Sequence, residues 1–267
     1  MNRIKYRVAL LFLIIFVTGC SQPIVAIDAT GDDYLQIISG LQVRYNVRLQ
    51  YDNFGDPSWE SLKCDALRSG DLMRLREYLV LFDREFSKYP PEFVAKTGLK
   101  CIYLCKNLQV GSQFRSAVPD YYTECLYYDI YKGYQQKGYH EDVIHHEYYH
   151  MIEQQLNGDA YYKDPEWATL NEKGFAYGKG GATVQKVSNV GAYNHPLTGF
   201  ASMYAASGFE EDKAVTFATL MVADTQRKIN KWAKEDAILR AKTEFMKSFL
   251  YKNCAEMNDG YWAKILK

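Results

Sequence analysis

The spacing of apolar and polar residues predicts a mixture of helices and short strands. Apolar residues recur with a helical period in four segments, which predict helices over residues 32–42, 69–88, 207–223 and 224–251. Ser69 is expected to cap the second of these helices, and a shorter helix is expected over 92–96. Alternating or short apolar runs bounded by turn residues predict strands over 46–52, 100–110 and 122–131. A turn-rich piece at 111–119 separates the last two strands. Residues 159–199 show no long period, and a loop of that length is typical of a functional segment, here the wall of a cleft.

A further helix is predicted over residues 140–156. Glu141 and Asp142 lie in its first turn, where negative charge suits the helix dipole, and Asn157-Gly158 provides a stop. Within it, residues 146–150 read His-Glu-Tyr-Tyr-His, the HExxH pattern. Residues four apart lie on one helical face, so both imidazoles can reach a single metal ion. A strand followed by such a helix is the order of the zincin fold, in which the strand nearest the cleft pairs with an extended substrate.

The HExxH spacing indicates a catalytic zinc site at His146 and His150. Zinc accepts imidazole nitrogen, and a catalytic zinc keeps one position open for water. Glu147 lies beside the two histidines, where its carboxylate can take a proton from that water as general base. The alternative is a solvated helix face on which these residues occur by chance. A catalytic zinc typically has three protein ligands, so one more is needed elsewhere in the chain.

Three neighbouring acids compete to be the third ligand. The residues after His150 do not continue as HExxHxxGxxH, so a carboxylate on a later helix is expected, from Glu210, Glu211 or Asp212. Ser207 and Glu210 have the spacing of a capping box, and Asp212 could serve the helix dipole. Glu211 shares its face with apolar residues only, where a lone carboxylate is costly unless it is paired or metal-bound. Glu211 is therefore preferred and Glu210 is next; a capping role for all three is the alternative.

Tyr204 and His195 are further candidates for the site. Tyr204 lies seven residues before Glu211 and could donate to the oxyanion that forms when water attacks a carbonyl. An aromatic core residue is an equally good interpretation, because the chain contains 23 tyrosines. His195 lies in the predicted cleft wall, where it could assist catalysis or be an ordinary loop histidine. His145 is expected to point away from the metal-binding face.

The N-terminus reads as an export signal with a lipid attachment site. A basic start and a short apolar run lead to Thr18-Gly19-Cys20, which has the form of a lipobox with lipidation at Cys20. The alternative is an ordinary signal peptide that contains a cysteine. Residues 1–20 would be the signal peptide, 21–30 a tether and 31–267 one zincin-like domain. No later apolar run is long enough to span a bilayer, so the mature protein should be anchored to a membrane.

Charge and cysteine content narrow the choice of partners. Loss of residues 1–20 removes three basic residues and no acid, which leaves 29 basic against 32 acidic residues, a net charge of −3. Nothing in this balance suggests a nucleic-acid partner, which would need a basic patch.

Five cysteines remain after Cys20, so at least one is free or pairs between molecules. Cys101 and Cys105 are expected to be mainly core residues.

Several stretches together resemble a known family. They are the lipobox, His-His-Glu-Tyr-Tyr-His at 145–150, Asp164–Asn171, Gly174–Gly178, and Phe200–Ala205 followed by Glu211–Ala214. In these stretches the chain resembles the substrate-import-associated zinc metallohydrolase lipoproteins of Bacteroidetes, zinc-binding metallopeptidases linked to TonB-dependent outer-membrane uptake. The resemblance covers most of the chain and is most specific over residues 140–218.

The resemblance implies a gluzincin-like fold, with His146, His150 and Glu211 as zinc ligands and Glu147 as general base. More distantly, the chain is similar to anthrax lethal-factor-like proteases, which place a tyrosine two turns before the ligand glutamate, as Tyr204 is placed here. Such families often carry an acid four residues after that glutamate, where this chain has a valine. The departure concerns a partner of the ligand rather than the ligand itself.

The sequence therefore predicts an α+β protein with a zincin-like metalloprotease fold: an HExxH active-site helix, a small mixed sheet and a helical C-terminal part. The expected function is that of a zinc metallopeptidase, lipid-anchored to the outer membrane of the cell envelope, with peptide or protein substrates and a TonB-dependent transporter or SusD-like partner. One alternative is a non-catalytic binding lipoprotein of an uptake complex with a vestigial site. It is supported by the 13 tyrosines between residues 121 and 193. Another is a zinc hydrolase acting on a glycan amide or ester.

Overall fold

The computed structural model describes residues 33–54, 60–184 and 187–267. The predicted signal peptide, the lipidation site Cys20 and the tether lie outside these ranges and stay predictions. In the part of the chain that the structure describes, no helix combines the length and apolar character that a membrane span requires.

Helices and a small mixed sheet alternate along the described residues. The helices are α1 Asp33–Tyr45, α2 Leu72–Phe86, α3 Pro91–Lys96, α4 Tyr139–Asn157, α5 Pro165–Leu170, α6 Phe209–Met221, α7 Ala223–Trp232, α8 Ala237–Asn253 and α9 Asp259–Ile265. The strands are β1 Arg48–Gln50, β2 Leu62–Asp65, β3 Cys101–Val110, β4 Gln113–Phe114, β5 Ala117–Asp120 and β6 Cys125–Asp129. Short 3₁₀ turns lie at Ser69–Asp71, Gly181–Thr183 and Ala205–Ser207.

The sheet has β3 near its centre. The strand order is β1-β3-β6-β5, with β1 and β6 parallel to β3, and β5 antiparallel to β6 at one edge. Strands β2 and β4 pair antiparallel with β3. Successive side chains of a strand point to opposite faces. Leu104 of β3 and Tyr128 of β6 accordingly join the main core, while Cys105 and Tyr127 join a smaller cluster on the other face.

The helix that carries HExxH was predicted within one residue at each end. Helix α4 begins after Gly138 and ends before Gly158, and both glycines have φ of 78°, in the left-handed region that favours glycine. The helix packs against α2, α6 and the edge strand β5. It therefore contacts both the edge of the sheet and α6.

Two predicted elements were wrong in detail. The piece at 111–119, expected to be turns, contains β4 and most of β5, so the edge strand that packs on α4 is β5 rather than the strand that directly precedes the helix. The single helix predicted over 224–251 is two helices, α7 and α8, and α9 follows them. The break has a physical cause, because the Asp236 side chain caps α8 by accepting from the Leu239 N–H at 2.9 Å.

The predicted cap at Ser69 was also wrong. Ser69 begins a 3₁₀ turn, and Asp71 directly precedes α2. The Asp71 carboxylate accepts hydrogen bonds from the Arg68 N–H, the Lys106 ammonium and the Tyr131 hydroxyl. These partners fix the start of α2 through contacts distant in sequence.

Cys101 of β3 and Cys125 of β6 form a disulfide with a Cα–Cα distance of 4.6 Å. The two residues are register partners in the parallel pair. Cys64, Cys105 and Cys254 are free thiols. Both Cys101 and Cys105 are buried, as the sequence suggested, but the bonding of Cys101 was not predicted.

Candidate metal centre

Helix α4 presents two buried imidazoles to one point. The Nε2 atoms of His146 and His150 lie 3.2 Å apart, and the ring centroids are 4.9 Å apart. His145 points to the opposite side, as expected, where its ring is wholly buried. There it lies 2.5 Å from the Tyr89 hydroxyl and 2.9 Å from a Glu85 carboxylate oxygen. These bonds fix the rotation of α4, and with it the direction in which His146 and His150 point.

Helix α6 brings Glu211 to the same point. Its Oε2 lies 3.0 Å from His146 Nε2 and 3.8 Å from His150 Nε2. The three donor atoms lie within 4.8 Å of one another, and they form the group that the described residues offer for a metal ion. Tetrahedral ligands about 2.0–2.1 Å from zinc are separated by roughly 3.3 Å. The observed spacings fit that geometry, and two imidazoles with a carboxylate are a donor set that zinc accepts.

The charges of these three groups are strongly coupled. Burial opposes ionisation of Glu211, but its hydrogen bond to His146 and the histidine charges lower the pKa of Glu211 to about 2. Burial likewise disfavours the His146 imidazolium, but the bond and charge of Glu211 raise the pKa of His146 to about 9. Burial and the neighbouring His146 lower the pKa of His150 to about 4. A cation is therefore favoured at this point, either a proton on His146 or a metal ion that replaces it.

Glu147 is half-buried beside the histidines and lines a cavity. Burial raises the pKa of Glu147 to about 7, although the charge of His146 opposes that rise. A carboxylate with a pKa near neutrality suits a group that must both accept and return a proton.

Tyr204 contacts two residues of the candidate centre, Glu211 and His146. Its hydroxyl donates to Glu211 Oε1 at 3.0 Å, and its ring centroid is 5.8 Å from that of His146. Burial and the charges of Glu211 and Glu147 raise the pKa of Tyr204, so the phenol keeps its proton. The structure thus brings together all five residues that the sequence placed at the site.

Sequence reasoning did not single out Gly181. A Cβ built on this residue would overlap both Glu211 Oε1 and the Tyr204 hydroxyl oxygen. The 3₁₀ turn that begins at Gly181 therefore fits against the carboxylate only because the side chain is absent. The glycine-rich composition of residues 174–181 was the available signal.

Asp212 lies in the first turn of α6, as predicted, but the predicted capping box is absent. Ser207 and Glu210 form no capping box, because Gly208 precedes the helix without a side-chain cap and the Ser207 hydroxyl donates to the Tyr204 carbonyl. Asp212 is buried and accepts from Lys242, at 2.8 Å, and from the Trp167 indole. Burial, which outweighs these bonds, raises the pKa of Asp212.

A buried ion pair joins the two helices that bear the ligands. The Lys213 ammonium of α6 contacts the Glu153 carboxylate of α4, and it also donates to the Tyr162 carbonyl at 2.6 Å. Both side chains are almost fully buried. The pair lies two residues after Glu211 and three after His150, so it fixes the distance between the helices next to the centre.

His195 does not reach the metal centre. Its Nε2 lies 2.8 Å from Asp236 Oδ2, and its ring stacks on Trp232 with a centroid distance of 5.4 Å. Asp236 also accepts from the backbone N–H groups of Gly199 and Leu239. These contacts give His195 a structural role at the junction of α7 and α8.

The cavity beside Glu147 has a volume of about 1040 Å³. Ala117 of the edge strand β5 and residues 189–193 of the long loop form part of its wall. The prediction that the segment 159–199 lines a cleft is confirmed for this part of the segment.

No protein-family model matches the sequence, and no curated protein matches it. A solved structure from Bacteroides caccae, described as a "putative zinc-binding metallo-peptidase", is similar in fold, with a TM-score of 0.50. The match covers 91% of this chain and 94% of that one, at 16% sequence identity. At this identity the likeness shows a shared fold.

Proposed function

We propose that this protein is a zinc-dependent hydrolase that cleaves peptide or amide bonds, a peptidase of the gluzincin type with a zincin-like fold. The observation that carries the proposal is the convergence of His146, His150 and Glu211 on one point, with Glu147 beside them in an open cavity. The fold shared with the Bacteroides caccae protein supports it.

His146, His150 and Glu211 would hold the ion. When bound, zinc polarises a carbonyl and lowers the pKa of water toward neutrality. Glu211 would also neutralise one of the two positive charges of the zinc ion. Tyr204 would orient the Glu211 carboxylate by donating to Oε1, the oxygen that does not contact His146.

Glu147 carries the proton. Its carboxylate accepts a proton from the attacking water and passes it to the leaving nitrogen, which its pKa of about 7 allows in both directions. The Tyr204 hydroxyl is protonated and can turn from Glu211 toward the oxygen on which negative charge develops.

We further propose that the protein acts at the cell envelope. The lipobox supports attachment through Cys20 to the outer membrane. The resemblance to the zinc metallohydrolase lipoproteins supports association with a TonB-dependent transporter or SusD-like partner. A peptidase in that position would trim peptides or proteins before uptake.

The proposal is tested with the full chain purified in detergent. Wild type should bind one zinc per chain and hydrolyse members of a quenched peptide library. Glu147→Gln should keep the zinc and lose about 10²- to 10⁴-fold in kcat, as expected when a general base is removed. The control is Glu235→Gln, an exposed acid outside the cavity, which should behave as wild type. Equal turnover by wild type and Glu147→Gln would refute the mechanism, and zinc binding without turnover of any library member would favour the binding lipoprotein.

A further inference from the structure

The cavity wall carries an excess of positive charge. Arg115, Lys132, Lys137 and Lys228 line it, and none of them forms an ion pair with a carboxylate of the described residues. The whole chain has 32 basic and 32 acidic residues, so the excess is local.

The acids in the same wall are already engaged. Glu141 pairs with Arg84 at 3.0 Å, and Asp224 pairs with Arg227 at 3.2 Å. Asp142 accepts a hydrogen bond from the Tyr193 hydroxyl. Outside the candidate metal centre, the acids of the wall therefore each have a partner, while the four cations have no carboxylate partner among the described residues.

Arg115 is the best placed of the four cations. It lies between β4 and the edge strand β5, two residues before Ala117, and is half-buried whereas the lysines are exposed. Its Nη2 donates to Gln113 Oε1 at 2.7 Å, but its Nε is buried and has no hydrogen-bond partner among the described residues. A buried N–H group without an acceptor is unfavourable. A carboxylate that drew the guanidinium toward the cavity would give this group an acceptor.

Arg115 lines the same cavity as His146, Glu147 and Tyr204. A guanidinium presents its N–H groups as a planar fork that matches a carboxylate bidentately. The lysines at the rim are hydrated and would attract an anion without fixing its position.

We propose that Arg115 forms a substrate subsite for a carboxylate, so that the enzyme prefers acidic peptides with the carboxylate close to the bond that is cleaved. The inference rests on the proposed function and assigns its substrate class. The carboxylate can belong to an aspartate or glutamate side chain or to the free C-terminus of the peptide. Both present the same two oxygens to the guanidinium.

The experiment measures preference rather than activity. A neutral peptide that wild type cleaves is remade with a single glutamate, or with glutamine as its neutral match, at each of the three positions on either side of the cleaved bond. A second pair differs only in a free or amidated C-terminus. Each is assayed for kcat/KM with wild type, Arg115→Gln, Arg115→Lys and Arg44→Gln, an arginine outside the cavity.

Wild type should favour glutamate over glutamine at one position, or the free over the amidated C-terminus, by about tenfold or more. Arg115→Gln should bring that ratio close to one, Arg115→Lys should retain part of it, and Arg44→Gln should leave it as in wild type. The pair that responds identifies the source of the carboxylate. A wild-type ratio below about twofold for every pair, or a ratio unchanged in Arg115→Gln, would overturn the subsite.

A binding measurement separates this inference from the hydrolysis itself. Fluorescein-labelled glutamate and glutamine peptides are titrated by anisotropy with zinc-loaded Glu147→Gln, with and without Arg115→Gln. Tighter binding of the acidic probe that is lost with Arg115 supports the subsite even if wild type hydrolyses no peptide. Equal binding of both probes to Glu147→Gln overturns it even if the enzyme is active.

Discussion

Gly181 offers a sharp test of the metal centre, because a single methyl group there should displace a ligand without unfolding the chain. The residue begins the 3₁₀ turn Gly181–Thr183 and is buried against the carboxylate of Glu211. Its φ is outside the positive region, so an alanine brings no backbone strain of its own. The entire effect of Gly181→Ala should come from the overlap with Glu211 and Tyr204.

The size of the effect follows from that overlap. To reach ordinary contact distance, the Glu211 oxygen or the Tyr204 hydroxyl must move by roughly 1 Å from the new methyl group. Their mutual hydrogen bond of 3.0 Å would then be lost or lengthened. Loss of a partner that orients a metal ligand costs about 10- to 100-fold in metal affinity. Misplacement of about 1 Å near the chemistry costs about 10²-fold in turnover.

The assay is a competitive zinc titration with a chromophoric chelator, followed by kcat/KM on the best peptide substrate. Gly181→Ala should bind zinc about 10- to 100-fold more weakly than wild type. Its unfolding free energy should fall by no more than about 1–3 kcal/mol, as for other overpacked sites. The matched control is Gly40→Ala in α1, where a Cβ would have no neighbour within 4 Å. That variant should keep its zinc affinity and gain about 0.5–1 kcal/mol in stability.

Wild-type zinc affinity in Gly181→Ala would refute the reasoning, because it would mean that Glu211 is not held where the structure places it. Reduced affinity in Gly40→Ala as well would show that the assay reports general destabilisation.

Three further predictions concern the ligand choice, acid stability and the disulfide. Glu211→Gln should weaken zinc binding by about 10²- to 10³-fold, roughly the share of one ligand in a site, whereas Glu210→Gln should stay near wild type; the reverse order in a zinc titration would reassign the ligand. Burial opposes ionisation of Asp236, but its hydrogen bonds to backbone N–H groups and to a histidine lower its pKa. The ionised carboxylate should therefore stabilise the fold above pH ~4, and this stabilisation should be lost as the pH falls further. The gap in Tm between wild type and Asp236→Asn should therefore narrow from pH 6 to pH 3, and a constant gap would contradict this. The Cys101–Cys125 disulfide closes a loop with a sequence separation of 24, so the double serine variant should lose about 3 kcal/mol in urea unfolding, and an unchanged midpoint would exclude that contribution.

The sequence signals of the candidate metal centre are mainly local, and the structure brings the predicted residues together. The HExxH spacing needs only helical periodicity, and α4 follows the predicted range within one residue at each end. Glu211 was favoured because a lone carboxylate on an apolar face needs a partner, and the structure gives it two histidines and Tyr204.

The features that sequence reasoning missed depend on distant contacts. Strand β5 is short and contains Pro119, which an edge strand tolerates but which reads as a turn. The break between α7 and α8 has no glycine or proline at residues 233–236 to mark it. Asp236 is held at the start of α8 because its carboxylate also accepts a hydrogen bond from the backbone N–H of Gly199, 37 residues away. Arg115 likewise has no local sequence pattern, and the role proposed for it depends on its place in the folded cavity.

Glu211, Asp212 and Lys213 are charged residues that the fold buries and then pairs with side chains of other helices. Three consecutive charged residues lie in a helix that is buried on nearly every side, where uncompensated charge would be strongly unfavourable. Each has its own partner on a neighbouring helix: the α4 histidines for Glu211, Lys242 of α8 for Asp212 and Glu153 of α4 for Lys213. Apolar residues at the last two positions could pack as well, but they would not tie α6 to both α4 and α8. The charges therefore hold the ligand-bearing helices in register, so that Glu211 meets the two histidines at a separation that fits one metal ion.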